Sequence, residues 1–330
     1  MKRIAFFCLL VLLSSAILAQ SPLFESDEIL EFTLTANFDK FVADRSLKAE
    51  YYPAHITISN QGKDETVKLK IKVRGRFRRE ENTCDFPPIR LNFKKGELPH
   101  PFEGQNKLKL VTHCKDEETI LKEYYVYKTF NLFTEKSFLT RLAKITYVDK
   151  NGNRPTETRY AFIIESEDDM AKRNKATSLP EDITIRKEEV NQRMLARVHL
   201  FNYMIANFDF NVTVRQNMKV ITNGKGKPIA IPYDFDWAGI VAAPYTLEKG
   251  DKKHPYFARR KFKKLCLPED EWTLLINEFN DKREAIFELY ETSTLLSEDS
   301  KKETIKLYKN FYKHINRKKT IADVLRKRCN

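Results

Sequence analysis

Glycine is scarce in this 330-residue chain, nine in all, which excludes most Gly-rich scaffolds, and none sit in a GxGxxG phosphate loop. Histidine is scarcer still, with six. No HExxH, no His/Cys cluster of zinc-ligand spacing and no nucleophile-elbow serine occur, so zinc-protease and α/β-hydrolase chemistries are excluded. His113 and Cys114 are adjacent, but neighbouring residues on a strand point to opposite faces, so they form no nucleophile pair. Beyond the first twenty residues no apolar run is long enough to span a bilayer. With 42% hydrophobic and 32% charged residues, the chain is neither disordered nor an integral membrane protein.

What is present starts with a targeting pattern. Lys2 and Arg3 precede an apolar run from Ile4 to Leu18 and then Ala19-Gln20, the build of a signal peptide over residues 1–20. An exported protein is therefore expected, periplasmic, at the cell surface or secreted, with no transmembrane segment after cleavage. The formal charge is +13. Acidic residues are interspersed almost throughout, and the clearest basic excess is in 301–330, as on a solvated helix face, so no nucleic-acid partner is expected. Export permits disulfides. Of the three pairings open to Cys84, Cys114, Cys266 and Cys329, Cys84–Cys114 and Cys266–Cys329 are expected because each stays within one half of the chain; free buried thiols are the alternative.

Residues 21–83 read as a β-rich segment. Leu30, Phe32 and Leu34 alternate with polar residues, as do Val67, Leu69, Ile71 and Val73, and a period of two marks half-buried strands. His55–Ile58 adds a strand before a turn at Asn60-Gln61-Gly62. Residues 84–165 continue with strands at Ile89–Phe93 and Lys107–Val111, a helix over Glu117–Phe133, and a hairpin turning at Asn151-Gly152. Residues 166–330 read as mainly helical, with Glu188–Ala206 the clearest helix and a short hairpin at 218–221 and 229–233. Strands first and helices later indicate an α+β chain with two lobes.

The chemically informative stretch runs from Leu200 to Val241. Asp234 and Asp236 lie among Ile231, Tyr233, Phe235, Trp237 and Ile240, where an uncompensated charge costs several kcal/mol. Such carboxylates keep a cation, a metal or a strong hydrogen-bond set; as a plain alternative they cap loop backbone. Asp234, Asp236 and Asn217 suit a hard divalent ion that also takes phosphate oxygens. Asp209 is then left to orient or deprotonate a hydroxyl.

Asp209 with Asn217, followed by the segment Pro232-Tyr233-Asp234-Phe235-Asp236-Trp237-Ala238-Gly239, resembles the catalytic and metal-binding loops of the CotH-like, spore-coat-type secreted kinases. Arg74-Gly75-Arg76-Phe77-Arg78-Arg79, the Leu121-Lys122-Glu123 helix and Ile163-Ile164-Glu165 follow in an order similar to that family's. The resemblance covers roughly residues 74–240. It implies a two-lobed protein-kinase-like fold preceded by a small antiparallel β-rich segment. It also implies a phosphotransferase moving the γ-phosphoryl group of ATP, with Mg or Mn, to a hydroxyl on a protein or cell-surface acceptor. Asp209 would be the catalytic base and Asn217, Asp234 and Asp236 the metal set. Lys109 paired with Glu123, together with Arg76 and Glu165, would hold the nucleotide. A non-catalytic envelope binding protein is the alternative.

Overall fold

The computed structural model describes residues 21–94, 96–246, 260, 262–263 and 265–317. The expected signal peptide and Cys329 of the expected Cys266–Cys329 pair lie outside these residues, while Cys266 is itself disulfide-bonded. Seven strands close a barrel: β1 (Leu30–Ala36), β2 (Tyr52–Asn60), β3 (Lys63–Val73), β4 (Ile89–Phe93), β5 (Lys107–Val111), β6 (Thr140–Asp149) and β7 (Glu157–Ile164). The order around it is β1-β2-β3-β4-β5-β7-β6. Neighbours are antiparallel except at the seam, where β1 runs parallel to β6 from Leu30 opposite Ala143 to Ala36 opposite Asp149. The Asp149 carboxylate fastens that seam by accepting the Phe38 and Asp39 amides at 2.7 and 3.2 Å.

This barrel overturns the two-lobed kinase-like fold expected from the sequence. Strands assigned to a separate N-terminal segment and strands assigned downstream pair directly, β3 with β4, and enclose a single interior. The reason is physical. Alternation states that one face of a strand is buried but not which neighbour it meets, and a closed sheet leaves no edge between the two sets.

The barrel interior is filled by Leu34, Ile56, Ile71, Leu91, Leu110, Ile145 and Ile163 with Phe38 and Phe41. A second core lies outside one wall. Phe162 and Ile164 of β7 face outward and join it, so the end of β7 is buried on both sides. Against that wall pack α2 (Glu117–Asn131), α4 (Gln192–Met204), α5 (Glu269–Asp281), α6 (Arg283–Glu291) and α7 (Glu298–Ile315). A small sheet of order β10-β9-β8, from Ile229–Pro232, Met218–Thr222 and Thr177–Ser178, completes it. The short helices α1 (Phe38–Ala43) and α3 (Glu167–Arg173) flank the barrel seam and the small sheet.

Local chemistry explains where α2 begins. Asp116 accepts the amides of Glu118 and Thr119 at 3.0 and 3.1 Å, satisfying two of the helix's free donors. Just ahead of it the Cys84–Cys114 disulfide joins α2's entry to the segment between β3 and β4, across a sequence separation of 30. Closing a loop of that length contributes about 3–4 kcal/mol in the chain-entropy account. Among the described residues no helix is long and apolar enough to cross a membrane.

Candidate functional site

A cleft of about 780 Å³ opens between one end of the barrel and the loops of the helical core. The barrel supplies the strap after β3, Arg74 to Arg78, with Val111 and Ile164 at the ends of β5 and β7. The helical side supplies Asp209 and Thr213–Asn217 after α4, and Tyr233, Asp234, Asp236 and Trp237 after β10. The stretch from Leu200 to Val241 singled out by its sequence therefore does fold around one cavity.

Asp209 is positioned by amides. The Asn207 side chain accepts its backbone N–H at 3.0 Å, and Asn217 Nδ2 donates to Asp209 Oδ2 and to its carbonyl, both at 2.8 Å. Gln216 Nε2 donates to the other carboxylate oxygen. Partial burial pushes the Asp209 carboxyl above its ordinary value, with the Asn217 hydrogen bond pulling the other way. Asp234 lies within electrostatic reach and adds to the rise. Asp234 itself donates its N–H to the buried Tyr127 hydroxyl at 2.7 Å.

The backbone around the cleft is strained. Asp234, Asn217, Arg215 and Ala206 sit at φ of 62°, 49°, 53° and 55°. Left-handed conformations cost a non-glycine residue roughly 1–2 kcal/mol each, and such outliers concentrate where a site requires a particular side-chain direction. Ala206 ends α4 this way, and the Gly239 amide locks it by donating to its carbonyl at 3.1 Å.

Asp236 takes the first of the sequence's three options, a cation partner. Arg78 Nε donates to Asp236 Oδ2 at 3.0 Å, and its Nη2 to Glu123 Oε2 at 2.5 Å. The Tyr245 hydroxyl also donates to Asp236 Oδ2, at 2.9 Å. All four groups are largely out of water. Burial pushes the Glu123 and Asp236 carboxyls up, and Arg78 opposes this in both. Burial alone would weaken the Arg78 charge, but Glu123, then Tyr245 and Asp236, hold its guanidinium well above the usual range. Two carboxylates on one guanidinium leave an excess of acid, and Glu123 Oε1 is buried without a hydrogen-bond partner among the described residues.

The expected Lys109–Glu123 pair is thus replaced by Arg78–Glu123. Arg78 was missed by sequence reasoning: Asp236 among apolar residues signalled a cation, a metal or a strong hydrogen-bond set, but not which of these. Glu165 is placed elsewhere. It is gripped by Arg173 through Nε at 3.0 Å and Nη2 at 2.9 Å, accepts the Leu139 amide at 3.0 Å, and does not line the cleft. Arg76 is exposed at the mouth, beside Arg74.

Lys109 stands just behind the cleft wall, its ammonium 4.4 Å from the centre of the Tyr233 ring. Burial, reinforced by Arg74, lowers it from 10.5 to about 7. An anion entering the cleft would restore the charge, the Lys109 amine taking up a proton from solvent. Pyrophosphate affinity is accordingly expected to fall as pH rises above about 7, by up to about tenfold per unit. Calorimetric titration from pH 6.5 to 8.5 checks this (values bracketing about 7), and Lys109→Met should flatten the profile.

Among the described residues no group of three or more His, Cys, Asp or Glu is arranged to hold a metal ion. Asp236 Oδ2 is already committed to Arg78. What remains is Asp234, with Asn217 lining the same cleft. That set suits an ion held chiefly by phosphate oxygens with one or two protein ligands, as magnesium is. Neither a protein-family model nor a curated protein matches the chain. The reading of the site rests on its chemistry: an oriented carboxylate, a second acid facing it, and the cations Arg74, Arg76 and Lys109 around them. None of these three cations makes an ion pair within 4 Å among the described residues.

Proposed function

We propose that this cleft transfers the terminal phosphoryl group of a nucleoside triphosphate, ATP in the first instance, to a hydroxyl on a protein or cell-surface acceptor. The supporting observation is the opposition of Asp209, fixed by two side-chain amides, to Asp234 in a cavity that also carries Arg74 and Arg76. In this reading Asp209 accepts the acceptor's hydroxyl proton as the new O–P bond forms. The bond from the γ-phosphorus to the bridging oxygen breaks, and the diphosphate leaves with its charge balanced by Arg74, Arg76 and Lys109. Asp234, with Asn217, would hold Mg or Mn, which supplies neutralisation of the phosphate oxygens. The resemblance to CotH-like secreted kinases in the order of these residues supports the same reaction class. An exported location fits the buried Cys84–Cys114 disulfide.

The test is metal-dependent nucleotide binding by the purified protein. ATP with Mg or Mn is expected to bind, and Asp234→Ala to abolish the metal-dependent part. Absence of binding with either metal sinks the transferase reading. One observation favours a second reading, a non-catalytic binding protein: Glu123 and Asp236 are both consumed by an internal ion pair. In that case Asp209→Asn leaves the biological phenotype intact.

A further inference from the structure

The outer wall of the barrel beside the cleft carries an arrangement that folding alone does not favour. Along β3 the outward residues are Lys68, Lys70 and Lys72, while Leu69, Ile71 and Val73 point in. Lys72 stands directly opposite Arg90 of β4, and Arg90 directly opposite Lys109 of β5. In the next row Lys70 faces Asn92, which faces Lys107. Like charges paired across strands destabilise a sheet, and opposite charges there contribute about 0.2–1 kcal/mol. Three cations in a row across three adjacent strands forgo that gain twice.

Among the described residues Lys68, Lys70, Lys72, Arg90 and Lys107 have no carboxylate within 4 Å. At the cleft end the row does meet acids, since Asp234 and Glu167 lie within electrostatic reach of Lys109. Arg90 in turn is close enough to Arg74 to repel its charge. The ladder is therefore continuous with the cleft: Lys72, Arg90, Lys109, Arg74.

We propose that this wall docks an acidic polypeptide stretch in extended form and delivers it to the cleft. Cations on alternate residues of β3 recur about every 6.6–6.8 Å, the spacing of every second side chain in an extended peptide laid along it. All three strands are interior to a closed barrel, so a partner cannot add as a further strand and must be read through side chains. Single-stranded nucleic acid would need stacking platforms. The outward positions of the wall hold none, and Tyr51 at its margin is already covered by Lys72, 5.3 Å from the ring centre. The inference rests on the proposed function only for its destination, that the docked stretch presents a hydroxyl at Asp209.

The test uses a fluorescent dodecapeptide with glutamate at alternate positions and serine between, titrated with the purified protein. Arg90→Glu is expected to weaken binding about tenfold or more and to reduce its salt dependence. The same substitution should hold or raise the thermal midpoint, because it places an acid between two lysines. A merely structural arginine would lower it. If circular dichroism shows Arg90→Glu to be misfolded, Arg90→Gln replaces it, with a smaller loss expected. Unchanged peptide affinity in the folded variant overturns the proposal, as does binding of a sulfated glycan or an oligonucleotide in place of the peptide. Lys70→Glu, in the row farther from the cleft, should weaken peptide binding while its ATP binding equals wild type, and peptide binding should survive Asp234→Ala, so failure here is distinguishable from failure of the transferase reading.

Discussion

Arg78→Met is expected to lower stability at pH 8 by about 3–5 kcal/mol, because it leaves two buried carboxylates without their cation. Glu123 is fully out of water and Asp236 nearly so, and both oxygens facing Arg78 lose a charge-assisted hydrogen bond. The loss should depend on pH in a definite direction. In the folded protein burial raises both carboxyls above their ordinary 4.5 and 3.8, and without Arg78 they rise further. The folded variant then binds more protons than its unfolded chain above those values, so its stability falls as pH increases. Urea unfolding at pH 5 and pH 8 should show a small deficit at the lower pH and the full deficit at the higher one. An equal deficit at both would mean that Arg78 acts through packing and not through charge.

Under the proposed phosphoryl transfer, Asp209→Asn is expected to reduce the rate by about 10²–10⁴-fold while leaving ATP affinity within about twofold. The substitution keeps the shape but removes the proton acceptor, and an Asn amide at 209 meets donors from both Gln216 and Asn217. Burial places the Asp209 carboxyl above its usual range, so the acid limb of the wild-type rate profile should lie above an ordinary aspartate's and should vanish in the variant. Single-turnover assays across pH, with nucleotide binding measured in parallel, separate the two parameters. Equal loss of rate and of binding would assign Asp209 to nucleotide positioning.

The parts of this structure written in short-range pattern were legible in the sequence. Ile89–Phe93 and Lys107–Val111 are strands as the alternation indicates. The helix expected over 117–133 spans Glu117–Asn131 and starts where its Asp cap places it. The Asn151-Gly152 hairpin formed as read, with Gly152 at φ 71°. Asp209, Asn217 and Asp234 share a cleft because their chain separation is short and a hairpin returns one loop to the other. What failed was long-range choice. Nothing in β1 announces a parallel neighbour in β6, and α1 is only six residues long, too short to show a helical period. The cation for Glu123 lies 45 residues away and that for Asp236 lies 158 away. Order along the chain does not say which of Arg74, Arg76, Arg78 or Lys109 turns inward. Burial of two acids demanded a partner, and only the folded strap determined that it was Arg78.

The seam between β1 and β6 also bears on how the chain is made and moved. Phe38 and Asp149, tied side chain to backbone, are 111 residues apart. A strand that must wait for so distant a mate contributes long sequence separations, which slow folding. During synthesis the first half emerges as a ribbon with two bare borders, unpaired until residue 164 leaves the ribosome and β7 closes the ring between β5 and β6. Until the circle shuts, those borders expose unpaired amides and carbonyls, and the nascent chain calls for a holdase to keep them from pairing wrongly.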